Sequence, residues 1–234
     1  MYKVLQLKFI TSILEIKNNL SSVLNPEYNQ LHNNIKLELQ KQKQNWKHPI
    51  YPYYQGYSRI KWYGLRETTN RINSYNLIFY MKKDWNILDI GCNMGFISCE
   101  LSPYVNHIDA IEVNPYLINI GKETSKFLKI DNIDFFATKF ENFNKKGYDA
   151  ILSFANHHTG DGLTSISIEQ YFKKIFNILK KQGLLFFESH ESKYEKWAST
   201  NMALNKYFVE VSKKTIKKEN SLMQPRIFKI LKKK

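Results

Sequence analysis

From Asn86 onward the chain alternates short β-like runs with stretches of helix length: NILDI, HIDAIEV, IDFFA, YDAILSF and GLLFFES follow one another with helical patterns between them. Strands covered on both faces read as such nearly continuous apolar runs. Their alternation with helices calls for a parallel sheet built from βαβ units. A helix around Tyr194 to Asn205 precedes two closing runs, Tyr207 to Lys213 and Arg226 to Leu231, which a polar turn region separates. These predict an antiparallel hairpin at one sheet edge. The expected fold is therefore α/β and doubly wound, with a mostly parallel seven-stranded sheet and an antiparallel C-terminal edge hairpin.

The chain before Asn86 reads differently. Residues 3–24 place Val4, Leu5, Phe9, Ile13, Leu14, Ile16 and Leu20 at near-helical spacing, and residues 27–44 do the same with Leu31, Ile35, Leu37 and Leu39. Asn25-Pro26 separates the two predicted helices, because the residue before a proline is pushed out of the α region. Residues 46–66 interleave aromatics with Arg59, Lys61 and Arg66 and hold Pro49, Pro52, Gly56 and Gly64, a pattern of irregular chain. A helix from Thr68 to Met81 leads into the sheet. The division expected is a helical, aromatic-rich cap over 1–81 and an α/β domain over 82–234.

With 234 residues, 43% of them hydrophobic, such a chain can bury a full core. No apolar run approaches the 18 or so residues that cross a bilayer. Cys92 and Cys99 stand roughly 10 Å of helical rise apart, too far for a disulfide. They form no zinc motif, so no metal is expected and a reducing cytoplasm is the default location. The formal charge of +14 could attract RNA, a phosphorylated metabolite or an anionic glycan-linked molecule; a diffuse solvated face together with the tail Lys232-Lys233-Lys234 is the stronger account of it.

The stretch Leu88-Asp89-Ile90-Gly91-Cys92-Asn93-Met94-Gly95-Phe96 is a strand running into a glycine-punctuated turn that opens a helix. Such a turn lets backbone approach a ligand, and the helix behind it favours a carboxylate or phosphate. The dinucleotide pattern G-x-G-x-x-G fails here, since counting from Gly91 its later glycines fall on Asn93 and Phe96. Glu112 ends the next run, 21 positions past Gly91, where a carboxylate can accept hydrogen bonds from both hydroxyls of a ribose.

Together these residues resemble motifs of the class I S-adenosylmethionine-dependent methyltransferases. Asp89, Gly91 and Gly95 match the first motif, with Asn93 standing where a middle glycine is common and tolerating left-handed backbone. The resemblance covers about residues 84–191. It implies S-adenosyl-L-methionine as cofactor, held by Asp89, Gly91, Asn93, Gly95 and Glu112, with Thr138 and Ser153 at the ends of the third and fourth strands. Lys139 lies near where the family often shows an acid at the adenine, so Thr138 or backbone groups take that part.

The acceptor side falls beyond the carboxyl ends of the strands. After the fourth strand come Asn156, His157 and His158, and a histidine there can take a proton from a hydroxyl or amine as the methyl arrives. One of His157 and His158 is therefore the candidate base; a loop histidine bonded to neighbouring backbone is the alternative. Glu188, His190 and Glu191 follow the fifth strand. Tyr63, Arg66, Asn156 and His190 form the expected acceptor-binding set, because guanidinium and its neighbours suit an anionic group. The expected activity is O-methylation of a small-molecule, phosphorylated or glycan-related acceptor. An RNA methyltransferase, or a non-catalytic subunit that binds the cofactor, is the rival reading.

Overall fold

The computed structural model describes residues 2–157, 164–190, 197–216 and 225–234, with the side chains of all of these but 2–5, 190, 197 and 198. Seven strands form one sheet: β3 (Asn86–Ile90), β4 (His107–Glu112), β5 (Ile133–Ala137), β6 (Tyr148–Phe154), β7 (Leu179–His190), β8 (Phe208–Ile216) and β9 (Arg226–Lys233). Their order is β5-β4-β3-β6-β7-β9-β8. The first five pair in parallel, and β9 runs antiparallel between β7 and β8. The expected hairpin is thus present, with its second strand turned inward and the first on the edge. That edge strand is solvent-facing along most of its length and carries Lys213 and Lys214, charges that discourage pairing with another sheet.

Period-two alternation explains why both faces are apolar. Ile87, Ala110, Ala150, Leu152 and Phe186 point to one core, and Leu88, Ile111, Ile151, Leu185 and Phe187 point to the other. Helix α7 (Ile168–Ile178) closes the second core with Tyr171, Phe172 and Ile175, and opens with a capping box in which Ser167 and Gln170 bond each other's backbone. Helices α5 (Phe96–Leu101) and α6 (Pro115–Phe127) follow β3 and β4.

The N-terminal helices α1 (Tyr2–Leu24) and α2 (Pro26–Asn45) share a third core with this layer: Leu14, Leu31, Ile35 and Leu39 pack with Met94, Phe96, Leu117 and Ile120. Among the described residues no helix is long and apolar enough to cross a membrane.

Residues 46–66 are more ordered than their composition predicts. Two short parallel strands, β1 (Gln55–Gly56) and β2 (Arg66–Glu67), pair Gln55 with Arg66. They approach so closely that a Cβ on Gly64 would lie 2.3 Å from the Gln55 carbonyl, which is why glycine stands there. The single helix predicted from Thr68 to Met81 is two, α3 (Thr68–Tyr75) and α4 (Leu77–Tyr80), because Asn76 between them adopts φ +54° and ends the first. Among the described residues helix α8 spans Trp197–Tyr207, two positions past the expected end; the expected start, Tyr194, lies outside the described residues.

Candidate active site

At the carboxyl ends of the central strands lies a cavity of about 300 Å³. The turn after β3 supplies Gly91, Cys92 and Asn93; β4 supplies Glu112; β6 and the residues after it supply Phe154, Ala155 and Asn156; the N-terminal segment supplies Ile50, Tyr51, Tyr54, Gln55 and Arg71. Asp89 also lines it.

The turn is held by left-handed backbone at Gly91 (φ +67°), Asn93 (φ +56°) and Gly95 (φ +71°). Gly95 has a second reason to be glycine, since a Cβ there would lie 2.6 Å from the Phe135 ring. The Glu112 carboxylate accepts hydrogen bonds from the backbone N–H of Asn93 (3.2 Å), Val113 (2.8 Å) and Asn114 (3.1 Å). These fix the acid to the glycine turn across the cavity mouth. Behind the turn, Asp89 accepts from Ser98 Oγ at 2.6 Å. Burial pushes its carboxyl up to about 6, against the lowering effect of that hydrogen bond and of Arg71.

Buried Gln42 on α2 anchors the segment that covers the cavity. It exchanges both side-chain hydrogen bonds with the Ile50 backbone and accepts a third from Asn114 Nδ2 at 3.1 Å. The segment over the cavity is thereby tied to the residue two places beyond Glu112.

Tyr54 and Arg71, which line the cavity, belong to a buried charge cluster. Glu188, fully buried, pairs with Arg66 (3.2 Å), Arg226 (3.2 Å) and Arg71. Arg226 Nη2 and Arg66 Nη1 both donate to the Tyr54 hydroxyl, at 3.1 and 3.4 Å, while Arg71 and Arg66 donate to Tyr75. Burial alone raises the Glu188 carboxyl; Arg71, Arg66 and Arg226 more than reverse this and hold it well below the usual carboxylate range. Tyr54 behaves likewise: burial raises it, but Arg226, Arg66 and Arg71 bring its hydroxyl below the ordinary phenol value. Burial raises Tyr75 to about 12, with Arg71 opposing.

Of the residues singled out from sequence, Asp89, Gly91, Asn93, Glu112 and Asn156 meet in this cavity, and Gly95 shapes the turn behind it. Arg66 stands one shell away, against Glu188. Ser153 Oγ donates to Asn156 Oδ1 and bonds Tyr171, each at 2.9 Å, while Asn156 Nδ2 donates to the Ile90 carbonyl. Ser153 therefore acts on the cavity through Asn156.

Thr138 lines a separate hollow with Phe135, Phe136 and Phe143, and its N–H donates to the Glu112 carbonyl at 2.9 Å. His157 is buried with its ring 4.8 Å from that of Phe187 and 6.3 Å from that of Phe172, and it is not among the cavity's lining residues. Tyr63 lies half-exposed on another surface, its backbone bonded to Asn18. His158 and Glu191 lie outside the described residues, as does the side chain of His190, whose backbone pairs with Arg226. The acceptor-binding set expected from the sequence contained none of Tyr54, Arg71 and Arg226.

A family profile described as "Methyltransferase domain" matches residues 81–231. The chain belongs to this family. It carries a class I S-adenosylmethionine-dependent methyltransferase domain, with which the strand order and the glycine turn followed by Glu112 agree. A malonyl-[acyl-carrier protein] O-methyltransferase of Ilyobacter polytropus is 30% identical over 115 residues, 48% of this chain and 40% of that protein. This chain thus spans well under two thirds of that relative's length.

Among solved structures, the N-methyltransferase NodS of Bradyrhizobium japonicum, in complex with S-adenosyl-L-homocysteine, aligns at TM-score 0.58 and 16% identity over 69% of this chain and 86% of its own. M. jannaschii TYW2, in complex with AdoMet, aligns at TM-score 0.54 and 15% identity over 71% and 74%. These two likenesses concern the fold.

Proposed function

We propose that the protein methylates a hydroxyl oxygen on a small molecule that also carries a phosphate or carboxylate. One observation carries this reading: Arg71 lines the same cavity as Glu112 and belongs to a buried cluster of three arginines and one glutamate. Arg71 thereby presents a guanidinium to the cavity from surroundings where burying charge is costly. An anionic group on the acceptor suits that guanidinium, and arginine forks suit phosphate and carboxylate geometry.

The residues at the other end of the cavity fit the cofactor. Glu112 offers carboxylate oxygens for the ribose hydroxyls, and the left-handed backbone at Gly91 and Asn93 brings peptide groups up to the ligand without an intervening Cβ at Gly91. Asp89 and Gly95 support that turn, Thr138 keeps the end of β5 beside Glu112, and Ser153 holds Asn156 in the wall. When bound, S-adenosylmethionine supplies a methyl group on a positively charged sulfur.

The protein's own part is alignment, exclusion of water and proton removal. Ile50, Tyr51 and Gln55 cover the cavity and Arg71 holds the acceptor's anion. Among the described residues Tyr54 is the group best suited to take the hydroxyl proton: it lines the cavity, and two guanidiniums stabilise its phenolate. His157, packed between phenyl rings, supports the loop. The O-methyltransferase relative is consistent with an oxygen acceptor.

The test is incubation with methyl-labelled cofactor and separate pools of nucleotide sugars, polar metabolites and RNA, followed by mass spectrometry. Label should enter an anionic small molecule. Arg71→Lys, which keeps the charge but loses the fork, should raise the acceptor KM and leave cofactor affinity unchanged. Label in RNA, or in neutral acceptors only, would overturn the reading.

A further inference from the structure

Helix α1 is amphipathic in the inverse of the usual sense. The side turned to the protein is largely polar. Asn18 donates to the Tyr63 carbonyl (3.0 Å) and accepts from the Tyr63 N–H (2.8 Å), Ser21 donates to the Lys61 carbonyl (3.0 Å), and Ser22 bonds His32 Nδ1 (2.8 Å). Thr11 meets the Tyr51 hydroxyl at 2.9 Å. Asn18, Ser21 and Ser22 are all buried, so rotating the helix would strand several polar groups without partners, at a cost for each.

Those bonds fix the opposite face outward, and it is apolar. Phe9, Ile13, Ile16, Leu20 and Val23 are 68%, 37%, 64%, 54% and 71% exposed. Their spacing of four, three, four and three residues is that of an a/d seam. Leu24, also exposed, borders it. Together these side chains present on the order of 600 Å² of apolar surface, at the upper end of what a monomer usually shows and close to the ~800 Å² per partner of a standard interface.

The stripe's width identifies its occupant. A seam confined to a and d positions fits another helix, whereas a helix lying on lipid has a broader apolar face rimmed with lysine and arginine. The flanks here are Ser12 and Asn19 on one side and Lys17 on the other, and the Lys17 ammonium lies over the Tyr63 ring at 5.9 Å, toward the protein. The seam is also self-complementary. Run antiparallel about a two-fold axis, Phe9 meets Leu20 of the second copy and Ile13 meets Ile16, so one patch serves both partners, as an isologous contact needs.

We propose that the protein forms a homodimer in which α1 pairs antiparallel with α1 of a second copy. The contact lies away from the cavity and does not depend on the acceptor. Sedimentation velocity across a concentration series tests it on the full chain, using wild type, the seam variant Ile16→Lys/Leu20→Lys and the off-seam control Glu15→Gln.

Wild type and control should sediment as dimers, and the seam variant as a monomer with unchanged circular dichroism and cofactor affinity. Orientation is read by oxidising a mixture of Ile13→Cys and Ile16→Cys proteins, in which the mixed disulfide should outpace either homodimeric one. A monomeric wild type at every concentration, or a dimer that survives in the folded seam variant, would overturn the proposal. A monomeric wild type that floats with anionic phospholipid vesicles would do so in favour of a lipid surface.

Discussion

Replacing Glu188 with glutamine changes almost no volume, yet removes a buried negative charge that Arg66, Arg71 and Arg226 all pair with. All three guanidiniums are nearly as buried as Glu188 itself, and arginine cannot shed its proton to relieve the repulsion. Removing one partner of a buried ion pair costs about 3–5 kcal/mol. For a chain of this length that corresponds to a fall in Tm of roughly 6–20 °C. Urea unfolding followed by circular dichroism measures the loss directly, provided the slope with denaturant is unchanged between the two proteins.

The pH dependence supplies an internal check on Glu188→Gln. The Glu188 carboxyl is depressed in the folded state, whereas an unfolded glutamate titrates near about 4.3. Its contribution is thus fully present above that value and is lost as pH falls toward the lowered folded value. The gap between wild type and Glu188→Gln should therefore be constant from neutrality to about pH 5 and narrow below it. A loss under about 1 kcal/mol at neutral pH, the range of an exposed pair, would refute the reasoning, and so would a gap that stays constant into acid.

Three further outcomes follow from the same geometry. Glu112→Ala should weaken S-adenosylmethionine binding tenfold or more by isothermal titration, about 1.5–3 kcal/mol for hydrogen bonds to a charged group; unchanged affinity in a folded variant would remove Glu112 from the cofactor site. Tyr54→Phe should bind cofactor normally but turn over some 10²–10⁴-fold more slowly. Because the guanidiniums lower the Tyr54 hydroxyl, wild-type turnover should rise with pH and level off below the ordinary phenol value, a limb that Tyr54→Phe should lack. Gly95→Ala should destabilise more than Gly147→Ala. Both force a side chain into left-handed backbone, but only at Gly95 does the new Cβ meet a ring, whereas nothing lies within 4 Å at Gly147; equal losses by thermal unfolding would show that the Phe135 contact is immaterial.

The glycine-turn end of the cavity was legible because its residues are local. Gly91, Asn93 and Gly95 share one turn, and Glu112 ends the next strand, so spacing along the chain carries the geometry. The same rule explains the sheet: β3 to β7 each announce themselves as apolar runs. The arginine-lined end was not legible, because it depends on which way side chains turn once the chain is folded. Tyr63 and Arg66 are three residues apart, yet one faces α1 and the other Glu188. His157 is one residue from a wall position but points into phenyl rings. Helix α1 shows the converse, since its periodicity marks an apolar stripe correctly while the usual inference, that the stripe faces inward, fails against the bonds of Asn18, Ser21 and Ser22.

The buried arginine cluster also bears on the order in which the molecule comes together. Arg66 and Arg71 lie 122 and 117 positions from Glu188, and Tyr54 lies 172 from Arg226, whereas Asn93 and Glu112, which bond across the glycine turn, are 19 apart. Contacts between distant parts of a chain carry a larger loop-closure cost and form more slowly. The glycine turn can condense as β3 and β4 pair, while the arginine cluster waits for β7, β9 and the N-terminal segment to converge. On the function proposed above, a refolding chain should accordingly regain cofactor binding before it regains turnover, and in that interval the Arg71 end of the cavity has no wall.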